Sequence, residues 1–404
     1  MNKKLRMLPN NFEKSKDPES TLKLMSVEEV EKARKFHESF PEYKVTPLRS
    51  LSNLAKKLGI SGIYLKDESY RFGLNAFKVL GGSYAIGNYL AKKLGEDISD
   101  FPYEKLVSEE VRNKVGDVTF YTATDGNHGR GVAWTANRLK QKSVVYMPLG
   151  SSEFRLEKIR GEGADASITD LNYDDAVRLA DKHANETNGV MVQDTAWEGY
   201  TDIPNWIMQG YGTMALEADD QLKEFTDEVP THIFIQAGVG SLAGAIQGYF
   251  AVKYGDKCPI TVIVEPDEAN CYYQSAAQKK LVNVSGDMRT IMAGLACGEP
   301  NVVSFEIIKN YSEGFLSLPD YVAADGMRVL GNPLTGDEKV ISGESGAAPM
   351  GALFNILARE GYEEVRKKLR LDENSRVLLF STEGDTDPDK YREIVWEGFD
   401  SLFC

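Results

Sequence analysis

Lys78 stands in the run Asn75-Ala76-Phe77-Lys78-Val79-Leu80-Gly81-Gly82, between an aromatic side chain and a glycine pair. Before it, Gly62-Ile63-Tyr64-Leu65-Lys66-Asp67-Glu68-Ser69 has apolar side chains at 63 and 65 and reads as a strand entering a turn. After it, residues 83–94 read as a helix. An amine at such a loop-to-helix junction meets unpaired backbone N–H groups and a field that favours anions. Most lysines in such a place are solvated charges. The chemical alternative is an amine that condenses with a bound carbonyl group.

Three other strand-to-helix turns carry groups that such a ligand would need. Gly238-Val239-Gly240-Ser241-Leu242 follows a strand ending at Gln236, and its small residues let the backbone wrap a phosphate and aim N–H groups at it. Gly238, Gly240 and Ala243 also fit the looser Gly-x-Gly-x-x-Ala dinucleotide pattern, with Glu265 after the next strand. This turn alone therefore does not choose between the two ligands. Thr124-Asp125-Gly126-Asn127-His128 offers N–H groups for a carboxylate, and Asn127 can donate to a phenolate-type oxygen; the plain alternative is a capped tight turn. Ser381-Thr382-Glu383-Gly384 ends the last apolar run, where a hydroxyl can meet a ring nitrogen or cap a helix.

The elements that would position these turns alternate. Strands are expected at 118–122, 143–147, 164–168, 189–193, 231–236, 260–264 and 375–380. Helices are expected at 129–140, 152–160, 173–186, 205–218 and 346–359. The run 260–264 is almost wholly apolar, as in a strand buried on both faces. Such alternation predicts an α/β fold of two three-layer domains with mostly parallel sheets. The pattern restarts near 84 and 230, so the expected division is 1–84 plus 231–404 for a larger domain and 85–230 for a smaller inserted one. Residues 1–25 show no clear period, whereas Ser26-Val27-Glu28-Glu29 opens a helix with a capping box.

Composition narrows the partners. With 42% hydrophobic and 27% charged residues over 404 positions, the chain is an ordinary globular one. A net charge of −14 opposes nucleic acid or an anionic membrane as the main partner. No run approaches the ~18 apolar residues of a membrane span, and the basic N-terminus lacks an apolar core behind it, so a cytoplasmic location is expected. Cys258, Cys271, Cys297 and Cys404 show no Cys-x-x-Cys spacing, so no metal site is expected. Cys404 is expected at an exposed end.

Taken together and in order, these segments resemble the fold-type II pyridoxal 5'-phosphate (PLP) enzymes, the group containing serine and threonine dehydratases and cysteine synthase. The similarity is carried by Thr46-Pro47-Leu48, Leu65-Lys66-Asp67-Glu68, Ala76-Phe77-Lys78 with Gly81-Gly82, and Gly126-Asn127-His128-Gly129. It continues through 238–242, Val264-Glu265-Pro266, Gly294-Leu295-Ala296, Glu344-Ser345-Gly346-Ala347-Ala348 and Ser381-Thr382-Glu383-Gly384, spanning 45 to about 390. The resemblance implies PLP in an interdomain cleft, a homodimer and a small amino-acid substrate. It also implies Lys78 as the Schiff-base lysine with Phe77 beside it, Asn127 near the ring oxygen, Gly238 to Leu242 on the phosphate and Thr382 at the pyridine nitrogen.

Departures from the dehydratases narrow the choice. Ala76 precedes Phe77 where they carry serine, and Thr124 and Asp125 replace the residues that usually precede Gly-Asn-His. The segments 192–200, 293–300 and 381–385 are similar to those of the diaminopropionate ammonia-lyase branch. That likeness implies β-elimination of ammonia from D- and L-2,3-diaminopropionate. Lys78 is then expected to take the Cα proton of the L form and Asp125 that of the D form, with Thr124, Asp125, Gly126 and Asp194 around the substrate. Asp125 and Asp194 would hold the leaving ammonium. The resemblance also places Cys271 and Cys297 near the site as a possible disulfide, which a reducing compartment opposes. A dehydratase, a nicotinamide-dependent oxidoreductase and a non-catalytic ligand-binding regulator are the competing expectations.

Overall fold

The computed structural model describes residues 3–402. The strands in chain order are β1 Arg6–Pro9, β2 Leu48–Ser50, β3 Gly62–Asp67, β4 Thr119–Ala123, β5 Lys142–Met147, β6 Asp165–Ile168, β7 Val190–Met191, β8 His232–Gln236, β9 Ile260–Pro266, β10 Gly314–Leu318 and β11 Arg376–Ser381. The helices are α1 Val27–Glu38, α2 Ser52–Leu58, α3 Val79–Lys93, α4 Tyr103–Leu106, α5 Glu109–Val115, α6 Asn127–Arg138, α7 Glu153–Gly161 and α8 Tyr173–Glu186. They continue with α9 Asp202–Leu222, α10 Ser241–Tyr254, α11 Cys271–Gln278, α12 Val302–Tyr311, α13 Asp320–Gly331, α14 Glu344–Ala358, α15 Glu363–Leu369 and α16 Pro388–Val395.

The chain forms two compact units. The first comprises the described residues of Met1–Ser26, Thr46–Tyr70 and Met214–Cys404, and the second Val27–Val45 and Arg71–Thr213. The chain thus changes unit at 26/27, 45/46, 70/71 and 213/214, so Val27–Val45 and residues 71–84, expected in the larger domain, belong to the second unit, and residues 214–230, expected in the inserted one, belong to the first. Lys78 goes with the second unit because α3, which it precedes, packs on α1 and α6.

In the first unit a seven-stranded sheet runs β1-β10-β9-β8-β11-β3-β2. Its five inner strands are parallel, and only the edge strands β1 and β2 run antiparallel to their neighbours. Ile63, Leu65, Phe234, Val262, Val264, Leu316, Val377 and Leu379 from these strands share one apolar cluster with Val322 and Met327 of α13 and Leu353 and Ile356 of α14. Two segments singled out in the sequence meet at this sheet's rim. Fully buried Lys66 donates to Glu217 Oε2 at 2.7 Å, Thr46 O at 2.7 Å and Gln221 Oε1 at 2.7 Å, while Thr46 Oγ1 donates to Glu68 Oε1 at 2.6 Å. Their conspicuous spacing therefore reflects a buried, satisfied charge network, the condition under which such charges are tolerated.

In the second unit a four-stranded, all-parallel sheet runs β6-β5-β4-β7. Both sheets change direction at one place. Beyond β8 the chain proceeds to β9 on one side while β11 lies on the other; beyond β4 it proceeds to β5 while β7 lies on the other. Connections that leave a parallel sheet in opposite directions open a crevice at the strand C-termini, where ligands of α/β proteins bind. The turns 237–240 and 382–386, and likewise 124–126 and 192–197, stand at these two points. Among the described residues no helix is long and apolar enough to cross a membrane.

Candidate active site

In the second unit the Lys78 amine donates to Asp194 Oδ2, so the residue before α3 meets the turn after β7. Asp194 is 3% exposed at its side chain and Lys78 20%. Burial disfavours the charged form of both, but their mutual attraction prevails. With Asp125 adding to it, the Lys78 pKa rises above its ordinary value, and that of Asp194 falls. The pair is an ammonium and a carboxylate.

His128 and neighbouring side chains hold the Asp194 turn. His128 Nε2 bonds Val192 O at 2.8 Å, and burial keeps that imidazole neutral, so Nε2 carries the proton and donates. Gln193 N donates to Tyr200 OH at 2.8 Å, and the Gln193 side chain links Thr122 Oγ1 at 2.8 Å with Tyr173 OH at 2.8 Å. On the adjacent strand end, Thr124 Oγ1 accepts from the N–H groups of Gly126 at 2.9 Å and Gly129 at 3.1 Å. This commits the Gly126 N–H to the loop itself. Asn127 opens α6 rather than preceding it. Asp125 is 30% exposed and 3.7 Å from Arg155 Nη1 of α7, a partner with no sequence signal. Phe77 packs on Tyr211 of α9, ring centroids 4.7 Å apart.

In the first unit Gly238 to Gly240 link β8 to α10, whose first residue is Ser241 and second is Leu242. Gly240 sits at φ +93° and caps α10; a Cβ there would lie 2.0 Å from Tyr272 OH. Only glycine meets both demands. Side chains from later in the chain brace the turn. Tyr272 OH donates to Val239 O at 2.9 Å, Asn301 N donates to the same carbonyl at 2.8 Å, and Asn301 Nδ2 donates to Ser241 Oγ at 2.8 Å. Next to it, Gln236 Nε2 donates to Ser345 O, Phe380 O and Thr382 Oγ1 at 3.2, 3.0 and 2.9 Å. Two of those acceptors are carbonyls, which fixes the amide orientation. Thr382 therefore accepts from Gln236 and keeps its own proton to donate.

Behind the turn, Glu265 at the end of β9 accepts from Tyr272 N at 2.8 Å and Tyr273 N at 2.7 Å, capping α11. Cys271 Sγ lies 3.5 Å from Glu265 Oε1. Cys258 and Cys271 are free thiols; Cys404 lies outside the described residues. Burial raises the Glu265 pKa to about 8 against the pull of those N–H groups and the thiol. The folded chain thus holds a proton that the unfolded chain has released, so stability is fully present below the ordinary carboxylate range and declines as pH rises towards 8. Replacing Glu265 by Gln is expected to remove this decline, so that the stability of the variant relative to the native chain rises between about pH 5 and about pH 8, by at most about 1.4 kcal/mol per pH unit. Thermal melts at several pH values check this; a constant difference would refute it.

The pattern of the pyridoxal-phosphate dependent enzyme family matches residues 40–383. The chain belongs to that family. Diaminopropionate ammonia-lyase of Salmonella typhimurium is 54% identical over 366 residues, 90% of this chain and 91% of that protein. Diaminopropionate ammonia-lyase of Escherichia coli in complex with D-serine superposes with a TM-score of 0.90 at 46% identity, covering 98% of each chain. The same enzyme with an aminoacrylate-PLP azomethine reaction intermediate gives 0.89 at 46% identity, again covering 98% of each.

This member of the PLP-dependent family carries groups that suit the cofactor. Lys78 supplies an amine, the N-terminus of α10 with its glycine turn suits a phosphate, and Thr382 has a proton free for an unprotonated ring nitrogen. Asn127, Asp125, Thr124 and Gly126 stand at the β4 end, and Asp194 at the neighbouring β7 end.

Proposed function

We infer that the protein catalyses α,β-elimination of ammonia from D- and L-2,3-diaminopropionate, giving pyruvate and two ammonia. The observation that carries this reading is the buried Asp194 carboxylate paired with the Lys78 ammonium, one strand end away from Asp125. It is supported by the 54% identity to a diaminopropionate ammonia-lyase.

PLP supplies, when bound, an aldehyde for an amine and a ring that accepts electrons from the substrate Cα. The residues do the rest. Gly238, Val239, Gly240, Ser241 and Leu242 bind its phosphate through N–H groups and the α10 dipole. Thr382 donates to the ring nitrogen, which leaves that nitrogen uncharged and favours quick elimination over transamination. Were Lys78 to hold the cofactor through its nitrogen, its ammonium would no longer balance the buried Asp194 carboxylate, which would favour a cation in its place. The β-ammonium of diaminopropionate meets that need; a serine hydroxyl does not.

The Lys78 amine would remove the Cα proton of the L isomer, and Asp125 that of the D isomer from the opposite face. The Cβ–N bond breaks with its electron pair going to nitrogen, and ammonia departs. The released 2-aminoacrylate hydrolyses to pyruvate and the second ammonia.

Turnover of D- and L-diaminopropionate beside L-serine tests the reading. Both isomers are expected to give ammonia and pyruvate in a ratio of two to one, with serine the poorer substrate. Preference for serine would move the chain to the dehydratases. We extend the proposal to a cytoplasmic homodimer; light scattering checks the dimer and fractionation the location.

A further inference from the structure

Tyr211 of α9 holds its ring against the turn that carries Lys78. Besides its contact with Phe77, the ring fills the space that a side chain on Gly81 would take: a Cβ there would lie 2.6 Å from Tyr211 Cε1 and 2.9 Å from Cζ. The hydroxyl-bearing end of the ring therefore reaches the first turn of α3. α9 can approach this far because Gly210 also lacks a side chain, and a Cβ there would lie 2.4 Å from Leu80 O. Phenylalanine would serve this packing equally well. Tyr211 nevertheless carries a hydroxyl that is buried, on a residue 1% exposed, with no hydrogen-bond partner among the described residues. Burying a polar group without a partner costs stability, so the missing partner is sought in a ligand.

Lys78, on the turn against which the ring packs, and its partner Asp194 are the charges that bear on the hydroxyl. Burial raises the phenol pKa well above its ordinary value, with Asp194 pushing the same way and Lys78 opposing, so the group is neutral and can accept a hydrogen bond. We propose that the Tyr211 hydroxyl is a second acceptor, beside Asp194, for the β-ammonium of the substrate, and that the two together select an amine as leaving group. This rests on the ammonia-elimination reading. An ammonium has three N–H donors and uses both acceptors, whereas a leaving group without donors uses neither. The phenol proton is not consumed: nitrogen leaves as ammonia with the electrons of the Cβ–N bond.

Tyr211→Phe keeps the ring and removes only the oxygen. In the PLP-loaded enzyme, kcat/KM for L- and D-diaminopropionate is expected to fall about tenfold to a hundredfold, while that for β-chloro-L-alanine stays within about twofold. The melting temperature of the cofactor-free variant is expected to stay level or rise, since an unpaired buried hydroxyl is lost. An equal fall for both kinds of substrate, or a lower melting temperature with no change of preference, would mean a structural role and overturn the proposal. Unchanged kinetics on both would overturn it as well. Failure of the wild-type enzyme to release ammonia from diaminopropionate while it processes serine would instead sink the reading beneath it, and the proposal with it.

Discussion

Lys78→Ala is expected to abolish the visible absorbance that the holoenzyme owes to lysine-bound PLP, and to lower diaminopropionate turnover at least about 10³-fold. Both losses follow from one amine that anchors the cofactor and moves a proton. The variant also removes the ammonium that pairs with Asp194, 3% exposed. Removing one partner of a buried pair costs about 3–5 kcal/mol unless the remaining group takes up a proton. Lys78→Ala with Asp194→Asn separates the two effects: stability is expected to return while the absorbance stays absent. Spectra and thermal melts of both variants provide the check. An unchanged visible band in Lys78→Ala would end the assignment of Lys78 as the anchor.

Asp125→Asn is expected to lower kcat/KM for D-diaminopropionate about 10²-fold or more and to affect the L isomer much less, because general-base removal costs about 10²–10⁴. The substitution preserves size and the reach towards Arg155, 3.7 Å away, so the loop has little reason to move. Ammonia and pyruvate release from each pure isomer decides the matter. Equal losses on both, or none, would sink the two-face assignment. This residue is where the chain departs most from the dehydratase pattern. A carboxylate next to a reacting Cα changes which proton can be removed and from which side.

Much of the second unit could be read from the chain itself. The helix expected at 173–186 is the observed α8, and the strands near 120, 145 and 166 lie within a residue or two of β4, β5 and β6. β4 and β5 are rich in β-branched and aromatic residues and Asn172 caps α8, so strands and helix alike leave local marks. Between β9 and α14 the sequence offered no element, although the stretch contains α11, α12, β10 and α13. β1 and β2 also escaped notice. Each is a three- or four-residue edge strand that bonds one neighbour, β10 or β3, and has no period long enough to announce it.

The sequence by itself determined the chemistry on offer: a lysine before a helix, a glycine turn suited to phosphate, a hydroxyl at a strand end and an aspartate in a turn otherwise typical of the family. These are backbone and functional-group requirements met within a few consecutive residues. Only the tertiary structure decided which distant groups complete them. Lys78 meets Asp194 across 116 positions, Gln236 orients Thr382, Arg155 faces Asp125, Tyr272 and Asn301 brace the phosphate turn, and Tyr211 lies along Gly81. None of these pairings has a sequence period, because each arises where a sheet changes direction or two helices pack closely. The residues there are chosen for contacts made after the chain has folded.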